Sequence, residues 1–306
     1  MTNTVATQAA ATPTASTRKK ASSFDPNPAK AGWATKLVLI AICLVWMIPL
    51  IGTLITSFRP VNDAERSGWW TIFSNPSTLG NLTFDNYKEA INGADMGNAF
   101  VNSMAIALPA TFIPVLVAAF AAYAFTFMEF RGRDVLFLAI VSLLVVPNYV
   151  AFVPMLKIYG NLGLNGSFAA VWLAHIGFGM PLAIYILRNY MATLPMTVIE
   201  SAKMDGASHF QTFYRLVLPM SVPALAAFAI FQFLWVWNDL LVALVFIGPG
   251  RNEPVTVALT GLKGQLGQGW NLVTAGGLIS MIVPIIVFLV LQRYFVRGLT
   301  AGAVKG

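Results

Sequence analysis

Charged residues are scarce in this sequence. Only 10% of its 306 residues are Asp, Glu, Lys or Arg, and 57% are hydrophobic, whereas a soluble globular domain carries about 25% charged residues. A single cysteine, Cys43, excludes an internal disulfide and a paired-cysteine metal or redox site. Together with a mean hydropathy of +0.71, these shortages exclude an ordinary soluble domain and indicate a protein of the lipid bilayer.

The motifs of common enzyme classes are also missing. The sequence contains no GxxxxGK[ST] phosphate loop, no HExxH zinc motif and no nucleophile elbow. Its two histidines, His175 and His209, are far apart, and His175 has no second metal-ligand candidate near it in the sequence. We therefore predict a chain that is not an enzyme, with no catalytic residues, no metal site and no cofactor of its own.

Six apolar segments are long enough to cross a hydrocarbon core of ~30 Å, and the alternating pattern of a β-barrel is absent. We predict an all-α integral membrane protein with six transmembrane helices. The spans are expected at about residues 37–56, 99–125, 135–154, 167–186, 220–247 and 272–291. Prolines inside these spans, such as Pro109, Pro114, Pro147 and Pro284, are tolerated where neighbouring groups satisfy the backbone.

The charges set a prediction for orientation. The sequence has a net charge of +7, and its Lys and Arg residues flank the apolar runs, which favours membrane orientation over binding of nucleic acid. With the N-terminus inside, thirteen of the 19 Lys and Arg residues lie on the cytoplasmic side. We therefore expect both termini in the cytoplasm. Residues 1–35, rich in Ala, Thr, Ser and Pro, are predicted to be a disordered cytoplasmic tail ahead of a membrane domain at 36–306.

A polar segment, ESAKMDGASHFQTFYRLVLP, separates the fourth and fifth apolar runs. Thr197 with Glu200, and Ser208 with Gln211, each have the spacing of a capping box. Between them lies Gly206, the residue best suited to a left-handed helix end. We predict a cytoplasmic helix–turn–helix within 195–219, with helices at 198–205 and 209–217.

The apolar residues of this segment have two interpretations. Met204, Phe210, Phe213 and Tyr214 would form an apolar side that is unexpected on a loop facing only water, and isolated helices this short are marginal. The side packs either on the protein's own bundle or on a partner protein. Periodicity does not decide between them.

Three stretches resemble one family. Glu200-Ser201-Ala202, with Gly206 following and Leu218-Pro219 closing the segment, resembles the EAA loop of ABC-importer permeases. The C-terminal QRYFVRGLTAGAVKG and the triplet Trp237-Asn238-Asp239 are similar to those of maltose-type permeases. The resemblance covers roughly residues 36–306, and the α-glucoside branch is the most similar in appearance.

The resemblance implies a type I transmembrane domain that imports a sugar, with an α-glucoside or maltose-like oligosaccharide as the expected substrate. It implies that the chain lies in the bacterial inner membrane and has three partners: a second homologous permease, a dimeric cytoplasmic ATPase that binds ATP and Mg²⁺, and an extracytoplasmic sugar-binding protein. The ATPase would dock on a knob made by Glu200, Ser201, Ala202, Asp205, Gly206, Ala207, Leu218 and Pro219. The C-terminal tail (Gly302, Ala303, Val304, Lys305 and Gly306) would reach the ATPase as well, or else form a frayed end.

Polar residues inside the apolar runs are candidates for the solute pathway or for interhelical hydrogen bonds. They are Asn148, Tyr149, His175, Gln232, Asn238 and Asp239. For Asn238 and Asp239 a structural role is favoured. Two other functions stay open: an ABC permease for another small polar solute such as glycerol phosphate, and a secondary transporter, which six spans with one polar loop fit poorly.

Overall fold

The computed structural model describes residues 32–93, 95–263 and 269–301, with side chains as far as residue 292. Its described residues are helical or irregular and contain no strand, as the sequence predicted. Chain contacts divide the protein into two units, Met1–Ile48 and Pro49–Gly306. The described part of the first unit is the beginning of helix α1, Trp33–Phe58.

Four helices in the described residues are long and apolar enough to cross a membrane, and two bent pairs raise the number of candidate spans to six. The four are α1, α2 (Met96–Phe127), α5 (Phe168–Met191) and the Trp270–Gln292 part of α12 (Trp270–Ala301). Pro109 and Pro114 lie inside α2 and Pro284 lies inside α12. At these three positions proline is accommodated within a continuous helix.

The third apolar run is broken where the sequence suggested one straight span. Helix α3 (Arg133–Ser142) and a 3-10 turn end at Val145, a second 3-10 turn starts at Asn148, and α4 (Phe152–Asn161) follows. The two halves are bent by 95°. Val146, which precedes Pro147, is extended, because the proline ring disfavours a helical residue before it.

The remaining helices belong to the polar segment, the fifth apolar run and the following loop. They are α6 (Met196–Met204), α7 (His209–Thr212), α8 (Leu218–Met220), α9 (Val222–Asn238), α10 (Leu241–Phe246) and α11 (Val255–Gly261). Short helical turns also occupy the loop after α1, at Val61–Arg66, Thr71–Ser74, Pro76–Asn81, Asp85–Lys88 and Glu89–Gly93. The predicted fifth span is thus interrupted at both Ser221 and Asp239.

Helices α2, α5 and α9 form the centre of the second unit. Small side chains line their contact, including Ala110 and Ala118 of α2 and Ala174 and Ala183 of α5, all with no exposed surface. Helices in a bilayer associate through such small residues, since lipid is as apolar as the helices themselves and close packing must supply the attraction.

One polar side chain joins the three central helices. Gln232 of α9 is fully buried, and its Nε2 donates to the backbone oxygens of Ala110 (3.1 Å) and His175 (3.4 Å). Its amide lies against Gly179 of α5, where a Cβ atom would stand 2.7 Å from both Nε2 and Oε1. Gln232 therefore fixes the register of α9 against α2 and α5.

Replacing Gly179 with alanine should destabilise the bundle. The added methyl group would push the Gln232 amide off its two carbonyl acceptors, and overpacking of this kind costs about 1–3 kcal/mol. Thermal unfolding of the purified protein in detergent measures the effect as a lower Tm.

Gly177, two residues earlier on the same helix, provides the control because a Cβ atom added there would meet nothing within 4 Å. There alanine should leave stability unchanged or raise it by about 0.5–1 kcal/mol, since glycine is the poorer helix former. Equal Tm values for G179A and G177A would contradict the register role of Gln232.

Candidate functional site

The polar segment 195–219 forms the predicted pair of helices with a turn between them. Helix α6 starts at Met196 with Pro195 as its N-cap, and no side chain caps it. The predicted capping box of Thr197 and Glu200 is therefore wrong: the helix begins before Thr197, so that its hydroxyl is no longer at the helix end. Proline accounts for this start, because its fixed φ and missing N–H suit the edge of a helix.

The turn confirms the prediction for Gly206. Gly206 has φ +77°, and its N–H donates to the oxygen of Lys203 (3.0 Å) while the N–H of Ala207 donates to that of Ala202 (3.0 Å). These two bonds are the Schellman arrangement, which satisfies the carbonyls left free at a helix end. The turn is consequently closed and rigid.

The second capping box forms as predicted. The Gln211 N–H donates to Ser208 Oγ (3.3 Å), and the Ser208 N–H donates to Gln211 Oε1 (2.8 Å). Beyond α7 the chain makes one π-helical turn, Phe213–Val217, before α8. The helix predicted at 209–217 is therefore continuous, but its turn at Phe213–Val217 is π-helical. The helical stretch also continues past Pro219 to Met220.

One side of the segment packs on the bundle. Ile199, Thr212, Phe213 and Val217 are buried, and the three apolar ones share a core cluster with α2 and α5. The protein's own bundle thus accounts for Phe213 among the four apolar residues singled out in the sequence.

The opposite side is exposed and carries large apolar groups. Met204, Phe210 and Tyr214 are 87%, 66% and 63% exposed, and the rings of Phe210 and Tyr214 stack with centroids 6.4 Å apart. Of the EAA-like residues, those that are exposed are Glu200, Ser201, Asp205, Gly206 and Pro219, whereas Ala202, Ala207 and Leu218 are half-buried. The segment therefore presents a rigid, partly apolar surface at one end of the second unit.

Contacts distant in sequence hold this segment, and sequence patterns did not reveal them. The hydroxyl of Tyr123 on α2 lies 3.1 Å from His209 Nδ1, and the ring of Phe213 lies 4.5 Å from that of Phe120. Tyr190 of α5 donates to the backbone oxygen of Met220 (3.3 Å). An aromatic residue every three or four positions near the end of α2 was the only available signal.

The polar residues of the apolar runs fall into separate places. His175 and Gln232 are buried and bonded to each other through the His175 backbone oxygen. Asn148 and Tyr149 follow the break before α4, with Tyr149 exposed. The C-terminal residues 302–306 lie outside the described residues.

Asn238 and Asp239 lie at the break between α9 and α10. Asn238 is exposed and donates to the Leu234 oxygen (2.7 Å), and Asp239 Oδ1 accepts the N–H of Val242 (2.7 Å). Asp239 therefore satisfies a donor at the start of α10, where the backbone of a broken helix would otherwise lack a partner.

Removing the hydroxyl of Ser208 should loosen the start of α7. The S208A variant loses the acceptor for the Gln211 N–H, at a cost of about 1 kcal/mol. Amide hydrogen exchange should show faster exchange for residues 211 and 212. T197A is the matched control and should exchange like the wild type, because the hydroxyl of Thr197 caps no helix; faster exchange in T197A alone would contradict the structure.

Comparison with known proteins places this architecture in a family. A profile described as "Binding-protein-dependent transport system inner membrane component" matches residues 114–301. The osmoprotective compounds uptake permease protein GgtD of Synechocystis sp. is 52% identical over 270 residues, covering 88% of this chain and 91% of that protein. The alpha-glucoside transport system permease protein AglG of Rhizobium meliloti is 50% identical over 258 residues, covering 82% and 68%.

A solved structure has the same fold. A chain in the crystal structure of a bacterial ABC transporter involved in the import of the acidic polysaccharide alginate aligns with a TM-score of 0.72 at 21% identity, covering 86% of this chain and 95% of that one. The sequence-based assignment to ABC-importer permeases is confirmed. The chain belongs to the inner-membrane components of binding-protein-dependent ABC transporters, as a non-catalytic, multi-pass permease subunit of the carbohydrate-uptake type.

Proposed function

We propose that this permease forms half of the translocation pathway of an importer for an α-glucoside or a maltose-like oligosaccharide. The substrate class rests on the 50% identity to a protein named for α-glucoside transport. The 52% identity to a permease named for osmoprotective compounds favours a second candidate, a small polar solute that protects against osmotic stress. Glycerol phosphate stays a further alternative from the sequence, whereas a secondary transporter does not agree with the family.

The 195–219 segment is the proposed docking site for the cytoplasmic ATPase. The observation that carries this proposal is the structure of the segment. It has a Schellman turn at Gly206, a capping box at Ser208 and an inner side buried on the bundle. A segment that transmits the movement of a partner must keep its own shape and be attached to the bundle. The hydrogen-bonded turn and cap provide the first property, and the buried inner side provides the second. Met204, Phe210 and Tyr214 offer the exposed apolar groups that a partner's cleft would bury.

The other partners follow from the same proposal. A second homologous permease completes the pathway, and the ATPase is a dimer that binds the ATP and Mg²⁺. For the C-terminal residues Gly302 to Gly306, which lie outside the described residues, we propose contact with the ATPase, with a frayed end as the alternative. An external binding protein delivers the sugar to the extracytoplasmic side, opposite the docking segment. In the proposed orientation the region 248–271 lies on that side.

The distribution of Lys and Arg residues supports the proposed orientation of the chain in the membrane. Cytoplasmic loops carry the excess of Lys and Arg in membrane proteins, and this assignment puts Arg188, Lys203 and Arg215 with the docking segment. Both termini then lie in the cytoplasm.

A bulky residue at Gly206 should abolish solute uptake. The G206V variant forces a β-branched residue into φ +77° at a cost of about 1–2 kcal/mol, and it places a side chain on the proposed docking surface. Uptake of radiolabelled maltose or trehalose in cells, with the amount of permease checked by immunoblot, measures the loss.

Gly163, at the turn before α5, is the matched control. It has φ +67°, and a Cβ atom added there would meet nothing within 4 Å, so valine brings similar strain away from the docking segment. G163V should retain uptake. If G206V retains uptake, or if both variants lose it equally, the docking role is wrong.

Purification in mild detergent should recover an ATPase and a second permease with this chain. ATP hydrolysis by the complex should be stimulated by binding protein loaded with maltose or trehalose. If ATP hydrolysis is stimulated only by an osmoprotectant such as glycine betaine, the second candidate, a small polar osmoprotective solute, is the substrate instead of the sugar. Recovery of a lone chain that transports along an ion gradient would overturn the proposed function.

A further inference from the structure

The docking segment is joined to the membrane helices covalently at both ends and laterally through aromatic side chains that contact α2. One covalent connection comes from α5 through residues 192–194, and the other runs through α8 into α9. The connection to α9 is bent by 71° between His209–Met220 and Val222–Asn238, with Ser221 at the bend and Pro223 in the first turn of α9. A helix pair bent this sharply does not carry an axial displacement as a straight helix would.

The lateral connection is an aromatic cluster made by Phe120, Tyr123, His209 and Phe213. The Phe213 ring is 4.5 Å from the ring of Phe120 and 5.3 Å from that of Tyr123. The Tyr123 ring is 6.1 Å from that of His209 at 77°, and its hydroxyl lies 3.1 Å from His209 Nδ1. Two residues of α2 are thus held by two residues of the docking segment.

Tyr123 and Phe213 are the buried members of the cluster. They are only 4% and 3% exposed and belong to the core cluster that includes Ile199 of α6 and Leu187 of α5, whereas Phe120 and His209 are exposed. Phe213 begins the π-helical turn, a feature that often occurs at functional sites in helices. A displacement of α7 must therefore move the end of α2 or break these contacts.

Helix α2 also extends to the middle of the bundle. Ile106, Ala107 and Ala110 of the same helix share a second core cluster with Phe233 and Val236 of α9. A packed chain of side chains thus leads from the docking segment along α2 to α9 beyond the bend. Coupling between distant sites travels through contiguous packing of this kind.

We propose that the aromatic cluster is a second coupling route, by which movement of the docked ATPase reaches the pathway through α2. Tyr123 is its positioning residue, because its hydroxyl ties α2 to the first residue of α7. The inference rests on the proposed function of the docking segment, since it takes the ATPase to act there.

The test uses the complete transporter, reconstituted in liposomes with its ATPase and binding protein, with maltose or trehalose as the probe. Y123F keeps the ring and removes only the hydroxyl. We expect normal assembly and ATP hydrolysis, with transport per ATP hydrolysed lowered roughly twofold to tenfold, the range for one neutral hydrogen bond. F213L, which keeps an apolar side chain but loses the ring contacts, should lower the same ratio.

Y159F is the matched control. Tyr159 is also buried and lies against Phe246, outside the docking segment, so its variant should keep the wild-type ratio. A Y123F/H209A double variant should be no worse than the more impaired single variant, since both changes break one contact.

A wild-type ratio of transport to ATP hydrolysis in Y123F would overturn the proposal. If both rates stay at the wild-type level, the hydroxyl has no role in coupling, and if both rates fall equally, the variant has weaker docking rather than lost coupling. If the F213L variant does not assemble into the transporter, the ratios measured for Y123F and for the double variant still test the proposal. Failure of the proposed function is a separate outcome, because then the wild-type chain itself would bind no ATPase.

Discussion

Every backbone N–H and C=O group inside hydrocarbon must find a partner within the protein, and this constraint governs the structure. It explains why the described chain is helical and why breaks occur where another group satisfies the backbone. Asp239 accepts the N–H of Val242 at one such break. Outside the predicted spans, the turn at Gly206 also satisfies its backbone internally, since the N–H groups of Gly206 and Ala207 donate to the carbonyls that end α6.

Close packing of small residues is the second consequence of the membrane environment. The hydrophobic effect does little to bring apolar helices together in lipid, so α2 and α5 approach through alanines. This makes a single polar side chain such as Gln232 effective in fixing the register, because it leaves little room beside Gly179.

Much of the candidate site could be predicted because its chemistry is local. The turn at Gly206 and the capping box of Ser208 with Gln211 depend on residues a few positions apart, and both form. The box at Thr197 had the same spacing and did not form, because the helix starts at Met196 with Pro195 as its N-cap, two residues earlier than predicted. The sequence spacing of two residues shows which capping bonds can form. The residue at which the helix actually starts determines which of these bonds do form.

The sequence by itself determined the all-helical membrane fold, the family and the position of the helix–turn–helix around Gly206, because hydrophobic run length and short-range motifs carry that information. Tertiary structure alone decided that Phe213 turns inward while Phe210 remains exposed, and that Tyr123 meets His209. These arrangements depend on how helices distant in sequence pack against one another, since Tyr123 and His209 are 86 positions apart. No local pattern records such packing, since it arises from the shape of the whole bundle.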